Sequence, residues 1–313
     1  MFHGLRMRQK DLSLLTELDD QLRVFSATNH ELVGLAEDIA RDAFAQQIVE
    51  SIRRVGFTDV IQQRALAPER ADPSSDLFDP FRAAVVAKNA GNFEEACWLV
   101  FLGTQFGKHG KQKWSTTAQV YGALGGPNWT FERVSVDPHA FSLWLEGHQK
   151  DIKRYVGNHR KYISLSGRKL HCTGVTVETY VAWILENGGH QALFNDAIAN
   201  AKGDARVAFA KLFKSMDVVD GFGRTARFDY LGMIGKLGLA DLKPDSVHLS
   251  GATGPLTGSK LLFTGSKKGK ISKSQLDTML LELGDALDLD MGVIEDAICN
   301  WQKNPNNFVP YRG

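Results

Sequence analysis

The feature that most restricts the fold of this chain is a pair of glycines separated by one residue, Gly221-Phe222-Gly223. The residues that follow place apolar side chains at the spacing of one helix face, at Ala226, Tyr230, Leu231 and Ile234. Glycine permits a positive φ and a close approach by another molecule, and the first amides of a helix have no partner inside it. The pattern therefore predicts a turn that offers backbone amides to a phosphate group. An ordinary tight turn between two helices is the alternative that the glycines alone leave open.

The run Val219-Asp220-Gly221-Phe222-Gly223, followed by a helix, resembles the hairpin of helix-hairpin-helix DNA glycosylases. In that superfamily a glycine-x-glycine turn grips the DNA backbone, and a catalytic aspartate follows after one helix and a short loop. Asp245 stands 22 residues past Gly223, at the corresponding place. Ser246 and His248 extend the resemblance to an aspartate, hydroxyl residue and histidine run, with Val247 inserted.

A larger part of the chain, roughly residues 81–303, is similar to a narrower group. This group comprises the alpha-glutamyl/putrescinyl thymine pyrophosphorylase-like proteins, from phage base hypermodification and from phage-defence glycosylases. Four segments carry the likeness: FRAAVVAKNAGNFEEACWLVFLGTQFGKH, WTFERVSVDPHAF, FGRTARFDYLGMIGKLG and VIEDAICNWQK.

The resemblance implies which residues contact DNA. The turn and the start of the next helix would bind DNA phosphates, through Gly221, Gly223, Arg224, Thr225 and Arg227. Such contacts do not depend on the base sequence. The expected partner is double-stranded phage DNA that carries modified bases.

Asp245 is the expected catalytic residue. A base inside a duplex must be extruded before an enzyme can act on its glycosidic bond. A carboxylate beside the C1′ carbon would stabilise the oxocarbenium cation and orient or deprotonate the attacking water. Asp241 in the same loop and Asp229 within the helix compete for this role, and Asp245 could instead cap a turn.

Further residues are expected at the flipped base or at the gap it leaves, namely Trp98, Gln105, Lys108, His109 and His248. Gln105 resembles a glutamine that faces the DNA gap in the superfamily. The alternative is a helix C-terminus at which Lys108 and His109 bind the last carbonyls. Trp98 could stack on a base or belong to the core, and the same choice holds for Trp114 and Trp129.

Arg227 stands where the resemblance would place the Schiff-base lysine of members that also cut the strand. A guanidinium stays protonated and cannot form that adduct. We therefore expect a monofunctional glycosylase.

The periodicity predicts a mainly α fold with a helix-hairpin-helix glycosylase-like architecture. Pro and Asp residues between 68 and 80 indicate a boundary. They divide the chain into an N-terminal helical extension, residues 1–75, and a glycosylase-like domain, residues 76–313. Residues 129–136 are read as a possible short strand, and residues 150–166 as a helix followed by a loop.

Composition limits the partners and cofactors. The net charge of +1 leaves DNA binding to local basic patches. Three basic runs, near residues 108–113, 150–161 and 267–273, fit such patches or solvated faces. Three dispersed cysteines cannot supply the four thiolates of an iron–sulfur cluster, and neither a metal nor another cofactor is expected. The sequence contains neither a signal peptide nor a membrane span, so a cytoplasmic location is expected.

Three functions fit these residues. The first is a DNA glycosylase that excises a 5-substituted, possibly glycosylated pyrimidine from phage DNA as antiviral defence. The second is a hypermodification enzyme that displaces pyrophosphate from an activated 5-hydroxymethyl pyrimidine. The third is a DNA-binding module without catalysis, because such hairpins often only bind.

Overall fold

A computed structural model describes residues 9–62 and 64–310, and within these ranges the chain is helical with no β-strand. The mainly α prediction is therefore confirmed. The helices are α1 (Gln9–Thr28), α2 (Asp38–Val55), α3 (Phe57–Gln62), α4 (Pro80–Asn89), α5 (Phe93–Phe106), α6 (Ser115–Tyr121), α7 (Phe131–Val136), α8 (Pro138–His148), α9 (Thr173–Glu186), α10 (His190–Asn200), α11 (Ala205–Ser215), α12 (Arg224–Lys236), α13 (Gly254–Thr264), α14 (Lys273–Ala286) and α15 (Met291–Trp301).

Two predictions of local structure were wrong. The expected strand at 129–136 is mostly helix α7, because the Thr130 hydroxyl caps its first turn by accepting a hydrogen bond from the Arg133 amide. The segment expected to begin as a helix at residue 150 is a loop that contains only a 3-10 turn at Asn158–Arg160. Tertiary hydrogen bonds, described below, hold that loop in place of helical ones.

The chain forms two compact units. The central unit is Asp59–Leu242, and the terminal unit joins the segment before it, up to Thr58, to the segment from Lys243 onward. Each unit has its own apolar core. The predicted boundary near residue 75 differs from this division, and residues 1–8 of the predicted extension lie outside the described residues.

The terminal unit draws its core from both ends of the chain. Helix α2 packs along α15, with the Phe44 and Trp301 ring centroids 5.1 Å apart. Gly34 lies so close to α13 that an added Cβ would come within 2.3 Å of the Leu261 carbonyl oxygen. The N-terminal helices therefore share a core with the C-terminal ones.

Helix α5 lies in the core of the central unit, where its residues from Glu95 to Phe106 are buried. Asn92 begins the helix by accepting a hydrogen bond from the Glu95 amide, as its sequence position predicts. The Phe101 ring stacks on Tyr180 of α9 at 3.7 Å between centroids and contacts Phe222 at 5.2 Å. This packing joins the glycine turn to the centre of the unit.

Candidate functional site

The predicted glycine turn lies between α11 and α12, and Phe222 fastens it to the core. Phe222 is 1% exposed and packs against Phe101 and Tyr230. Gly221 has a φ of 69°, in the region that favours glycine, and an added Cβ would lie 2.8 Å from the Thr176 hydroxyl oxygen. The Asp220 amide donates to the Thr179 hydroxyl at 3.0 Å. Gly221 is thus required by the packing of the turn on α9.

Gly223 differs from Gly221 in both conformation and surroundings. Its φ is −70° and its ψ is −176°, which any residue adopts, and no atom lies within 4 Å of an added Cβ. It is the N-cap of α12, and within the described part of the chain the Thr225 and Ala226 amides have no acceptor. The exposed side of the turn therefore offers helix N-terminal amides next to an open approach.

Arg227, predicted to contact DNA, is instead committed to the turn itself. Its Nε donates to the Phe222 carbonyl at 2.9 Å, and its guanidinium forms an ion pair with Asp217. Arg227 therefore holds the turn, and its contact with DNA stays a prediction. In the first turn of α12, the Arg224 guanidinium lies 4.7 Å from the Phe228 ring centroid, and Thr225 is half-buried.

Asp229, one of the competing acids, lies one turn along α12 from Thr225. Its side chain is 50% exposed, yet the surrounding protein limits its hydration and raises the pKa of its carboxyl. The positive charges of Arg160, Arg224 and Lys236, and of His159 when it is protonated, oppose that rise in pKa. A carboxylate with a raised pKa can hold a proton during a reaction, and the cationic side chains beside it can bind an anionic group.

Arg160 connects Asp229 to the end of α5. The residue is 7% exposed, its Nε donates to the Thr104 carbonyl at 2.8 Å, and its Nη2 lies 3.5 Å from an Asp229 carboxylate oxygen. The Gly157 amide donates to the Phe106 carbonyl at 2.9 Å. The last carbonyls of α5 are thus bound by the loop at 157–160. The alternative in which Lys108 and His109 bind these carbonyls is wrong. We call the side chains of Arg160 and Asp229, together with those of His159, Arg224 and Lys236, the Arg160 recess.

Gln105 is 1% exposed, and within the described residues neither its amide nitrogen nor its amide oxygen has a hydrogen-bond partner. The neighbouring Thr104 hydroxyl is also without a partner there. A buried amide without partners costs free energy, so each such group requires an explanation. Gln105 therefore remains a candidate for binding a polar ligand group at the end of α5.

Lys108 and His109 belong to a short loop after α5. The His109 Nδ1 accepts hydrogen bonds from the Lys111 and Gln112 amides at 3.3 and 3.0 Å, and an antiparallel bridge joins His109 to Lys113. The His109 ring lies 5.5 Å from the Tyr155 ring. The fold thus brings the first two basic runs together in the central unit, while the run at 267–273 lies in the terminal unit.

Trp98 is a core residue, and its predicted place in the base pocket is corrected. It is 0% exposed, its Nε1 donates to the Trp129 carbonyl at 2.7 Å, and its ring stacks on Phe101. Trp114 and Trp129 are 7% and 2% exposed. None of the three rings can reach a DNA base while the unit is folded.

Asp245 and His248 pair within the terminal unit. The His248 Nε2 lies 2.8 Å from an Asp245 carboxylate oxygen, and the two side chains are 17% and 28% exposed. The Ser246 hydroxyl accepts the His248 amide at 3.1 Å, so the motif forms one hydrogen-bonded segment. Asp241 lies in the central unit and is exposed.

Residues 39–313 match the protein-family model of alpha-glutamyl/putrescinyl thymine pyrophosphorylase clade 3. The chain belongs to this family. Searches of curated proteins and of solved structures found no match.

One polar network in this clade 3 chain could not be seen in the sequence. The His190 ring, which is 0% exposed, joins Glu94 at 2.5 Å to the Tyr180 hydroxyl at 2.6 Å, and Tyr180 lies 3.0 Å from the Tyr230 hydroxyl. Burial lowers the pKa of His190, so the neutral ring donates from Nδ1 to Glu94. Burial alone would raise the pKa of Glu94, but the His190 hydrogen bond and backbone amides lower it to about 2. This network ties α5, α9, α10 and α12 together behind the Arg160 recess.

Neither a metal cluster nor a membrane span is found in the described part of this family member. No group of three or more His, Cys, Asp or Glu side chains in the described ranges is arranged to hold a metal ion. None of the described helices combines the length and the hydropathy needed to cross a lipid bilayer.

Proposed function

We propose that this protein is an enzyme that acts on a modified pyrimidine base in DNA, and that it excises the base as a DNA glycosylase. The observation that carries the proposal is the Arg160 recess, in which Arg160 pairs with Asp229 on α12, a helix two of whose first-turn amides have no acceptor among the described residues. The family name, which specifies thymine, supports a pyrimidine as the target.

DNA would be held through its phosphates. The Thr225 and Ala226 amides have no acceptor among the described residues, and Gly223 before them is exposed with no atom near an added Cβ. The basic residues of loops 107–113 and 152–171 add positive charge in the same unit. Such contacts bind any base sequence and weaken as salt rises.

Asp245 is our first choice for the catalytic carboxylate. His248 at 2.8 Å restrains the carboxylate, which remains 28% exposed and so accessible to substrate. An ionised aspartate would stabilise the cation that develops at C1′ as the base departs, and it would orient the attacking water. Asp229 is the second choice, because its raised pKa is a feature that catalytic acids and bases share.

The product would be an abasic site in an intact strand. Arg227 is bound to Asp217 and cannot supply a Schiff-base amine. Lys236, near Asp229, and Lys243 are the lysines closest in sequence to Asp245. Borohydride added during turnover should trap no covalent adduct, whereas an adduct abolished by Lys236→Ala or Lys243→Ala would show strand-cleaving chemistry.

The biological role we propose is defence against phage whose DNA carries a bulky 5-substituent on pyrimidines. Base removal from such DNA leaves sites that block replication of the phage genome. In this setting the partner is modified double-stranded DNA.

A second candidate function is displacement of pyrophosphate from an activated base, because the family is named for pyrophosphorylases. The cations around Asp229 also favour it, since guanidinium and ammonium groups bind phosphoryl oxygens. In this reaction the base stays attached to its sugar.

One experiment separates the two candidates. The protein is incubated with DNA from several phages that carry different modified pyrimidines, and mass spectrometry measures free bases and the nucleosides left in the strand. Free base together with alkali-labile sites would support the glycosylase. Pyrophosphate release with a changed but attached base would support the second candidate, and neither product would refute both.

A further inference from the structure

We propose that Tyr162, carried on the turn at 160–163, stacks on a DNA base next to the extruded nucleotide. The inference rests on the proposed function for DNA as the ligand. It adds a positioning residue that no motif in the sequence indicates.

Tyr162 is exposed in a way that the other described tyrosines of the central unit are not. It is 88% exposed, whereas Tyr121, Tyr180 and Tyr230 are 6% exposed or less and Tyr155 is half-buried. A single exposed apolar side chain is common on protein surfaces. Its surroundings therefore have to carry the argument.

Hydrogen bonds hold the backbone of the turn that carries Tyr162. The Arg154 Nη2, which carries two hydrogens, lies 2.5 and 2.7 Å from the Lys161 and Ile163 carbonyl oxygens and 3.3 Å from the Arg160 carbonyl oxygen. The Ile163 amide donates to the Arg160 carbonyl at 3.1 Å. These hydrogen bonds restrain the backbone on both sides of Tyr162. A restrained backbone reduces the conformational entropy that is lost when the exposed ring binds.

The charge around the ring suits a nucleic acid. From residue 152 to residue 171 the chain contains no Asp or Glu, while Lys, Arg and His recur throughout. The Lys161 ammonium lies 5.0 Å from the Tyr162 ring centroid. An aromatic ring among cations that track a phosphate backbone is the arrangement by which proteins bind bases without sequence preference.

The same turn also carries Arg160, which points inward to Thr104 and Asp229. One turn thus carries both Arg160, which contacts Thr104 and Asp229, and Tyr162, whose ring lies at the surface. A nucleotide extruded toward the recess would leave a neighbouring base unstacked, and the ring of Tyr162 replaces the lost stacking partner.

The test compares Tyr162→Ala, Tyr162→Phe and Tyr162→Trp with wild type. Leu170→Ala is the matched control, because Leu170 is 86% exposed in the same basic segment but has no ring. The probe is a modified-pyrimidine duplex with 2-aminopurine beside the target base. Anisotropy gives the Kd at several salt concentrations, and 2-aminopurine emission reports stacking.

We expect Tyr162→Ala to weaken binding by about 5- to 150-fold, the range for loss of one stacked base. The salt dependence should stay unchanged because no charge is removed. Tyr162→Phe and Tyr162→Trp should restore both affinity and emission change, and Leu170→Ala should match wild type. If wild type binds DNA and Tyr162→Ala binds it with the same affinity, or if Leu170→Ala loses as much affinity as Tyr162→Ala, the inference about Tyr162 is overturned while the proposed function stands. Failure of wild type to bind any DNA would overturn the proposed function with it.

Discussion

The two glycines of the turn, which the sequence treats alike, should respond to substitution in opposite ways. We expect Gly221→Ala to destabilise the protein and Gly223→Val to leave its stability nearly unchanged while weakening DNA binding. The difference follows from their backbone angles and from the atoms around them.

The cost of Gly221→Ala can be worked from the structure. A φ of 69° costs an L-residue about 1–2 kcal/mol. The new Cβ would lie 2.8 Å from the Thr176 hydroxyl, which is buried and already donates to the Cys172 carbonyl, so it cannot easily move. Overpacking of this kind adds about 1–3 kcal/mol. The total of roughly 2–5 kcal/mol should lower the melting temperature by roughly 5–15 °C for a unit of this size.

Gly223→Val involves neither a strained φ nor overpacking. Its φ of −70° suits valine, and no atom lies within 4 Å of the new Cβ. Loss of a favourable N-cap glycine and lower entropy of the unfolded chain are each below about 1 kcal/mol and act in opposite directions. If a phosphate approaches the Thr225 and Ala226 amides, the valine side chain should block it, and losing one charged hydrogen bond of about 1.5–3 kcal/mol weakens binding about 10- to 150-fold.

The assay combines thermal melting with anisotropy on duplexes of unrelated sequence. Gly147→Ala is the control, because Gly147 is an exposed position of helix α8 with no atom within 4 Å of an added Cβ. This variant should gain about 0.5–1 kcal/mol of stability with unchanged binding. The affinity loss in Gly223→Val should be the same for every sequence. A folded Gly223→Val protein that binds as tightly as wild type would remove the turn from the DNA interface, and an unaltered melting temperature in Gly221→Ala would refute the packing argument.

Three further predictions concern catalysis, pH and the turn. Asp245→Asn should reduce base release by about a hundredfold or more while DNA binding persists; a loss confined to Asp229→Asn would transfer the role to Asp229. The pKa of Glu94 is about 2 in the folded protein, against 4.5 for an unperturbed glutamate. The stability that its ionised carboxylate gives the fold is therefore complete above pH 4.5 and is lost as the pH falls toward 2. Because Glu94 is 37% exposed, we discount this to about 1–2 kcal/mol, and denaturant melts of Glu94→Gln should show a flatter acid limb than wild type. Arg227→Gln should cost about 1–3 kcal/mol by leaving Asp217 and the Phe222 carbonyl unpaired, and a large affinity loss without destabilisation would return Arg227 to the DNA contacts.

Local patterns in the sequence were enough to predict the helices and the turn. Periodic apolar residues predicted α12, and Asn92 predicted the start of α5, because a helix face and an N-cap depend on neighbours in the chain. The strand expected at 129–136 shows the limit of this reasoning. Val134 and Val136 suggest a strand by type, but the Thr130 cap and the contact of Phe131 with the core make a helix.

The sequence alone determined that this chain is mainly helical and that a glycine turn precedes an amphipathic helix carrying Asp229. Only the tertiary structure decided that Arg160 meets Asp229, that Trp98 and Arg227 are occupied inside the protein, and that both chain ends form one unit. The physical reason is that these contacts form only when the chain folds back on itself: Arg160 pairs with a residue 69 positions away and Trp98 with one 31 positions away, and no local periodicity encodes either contact. Buried carbonyls at the end of α5 and a carboxylate on α12 need partners, and the folded chain supplies both from a loop whose own residues carry no periodic pattern.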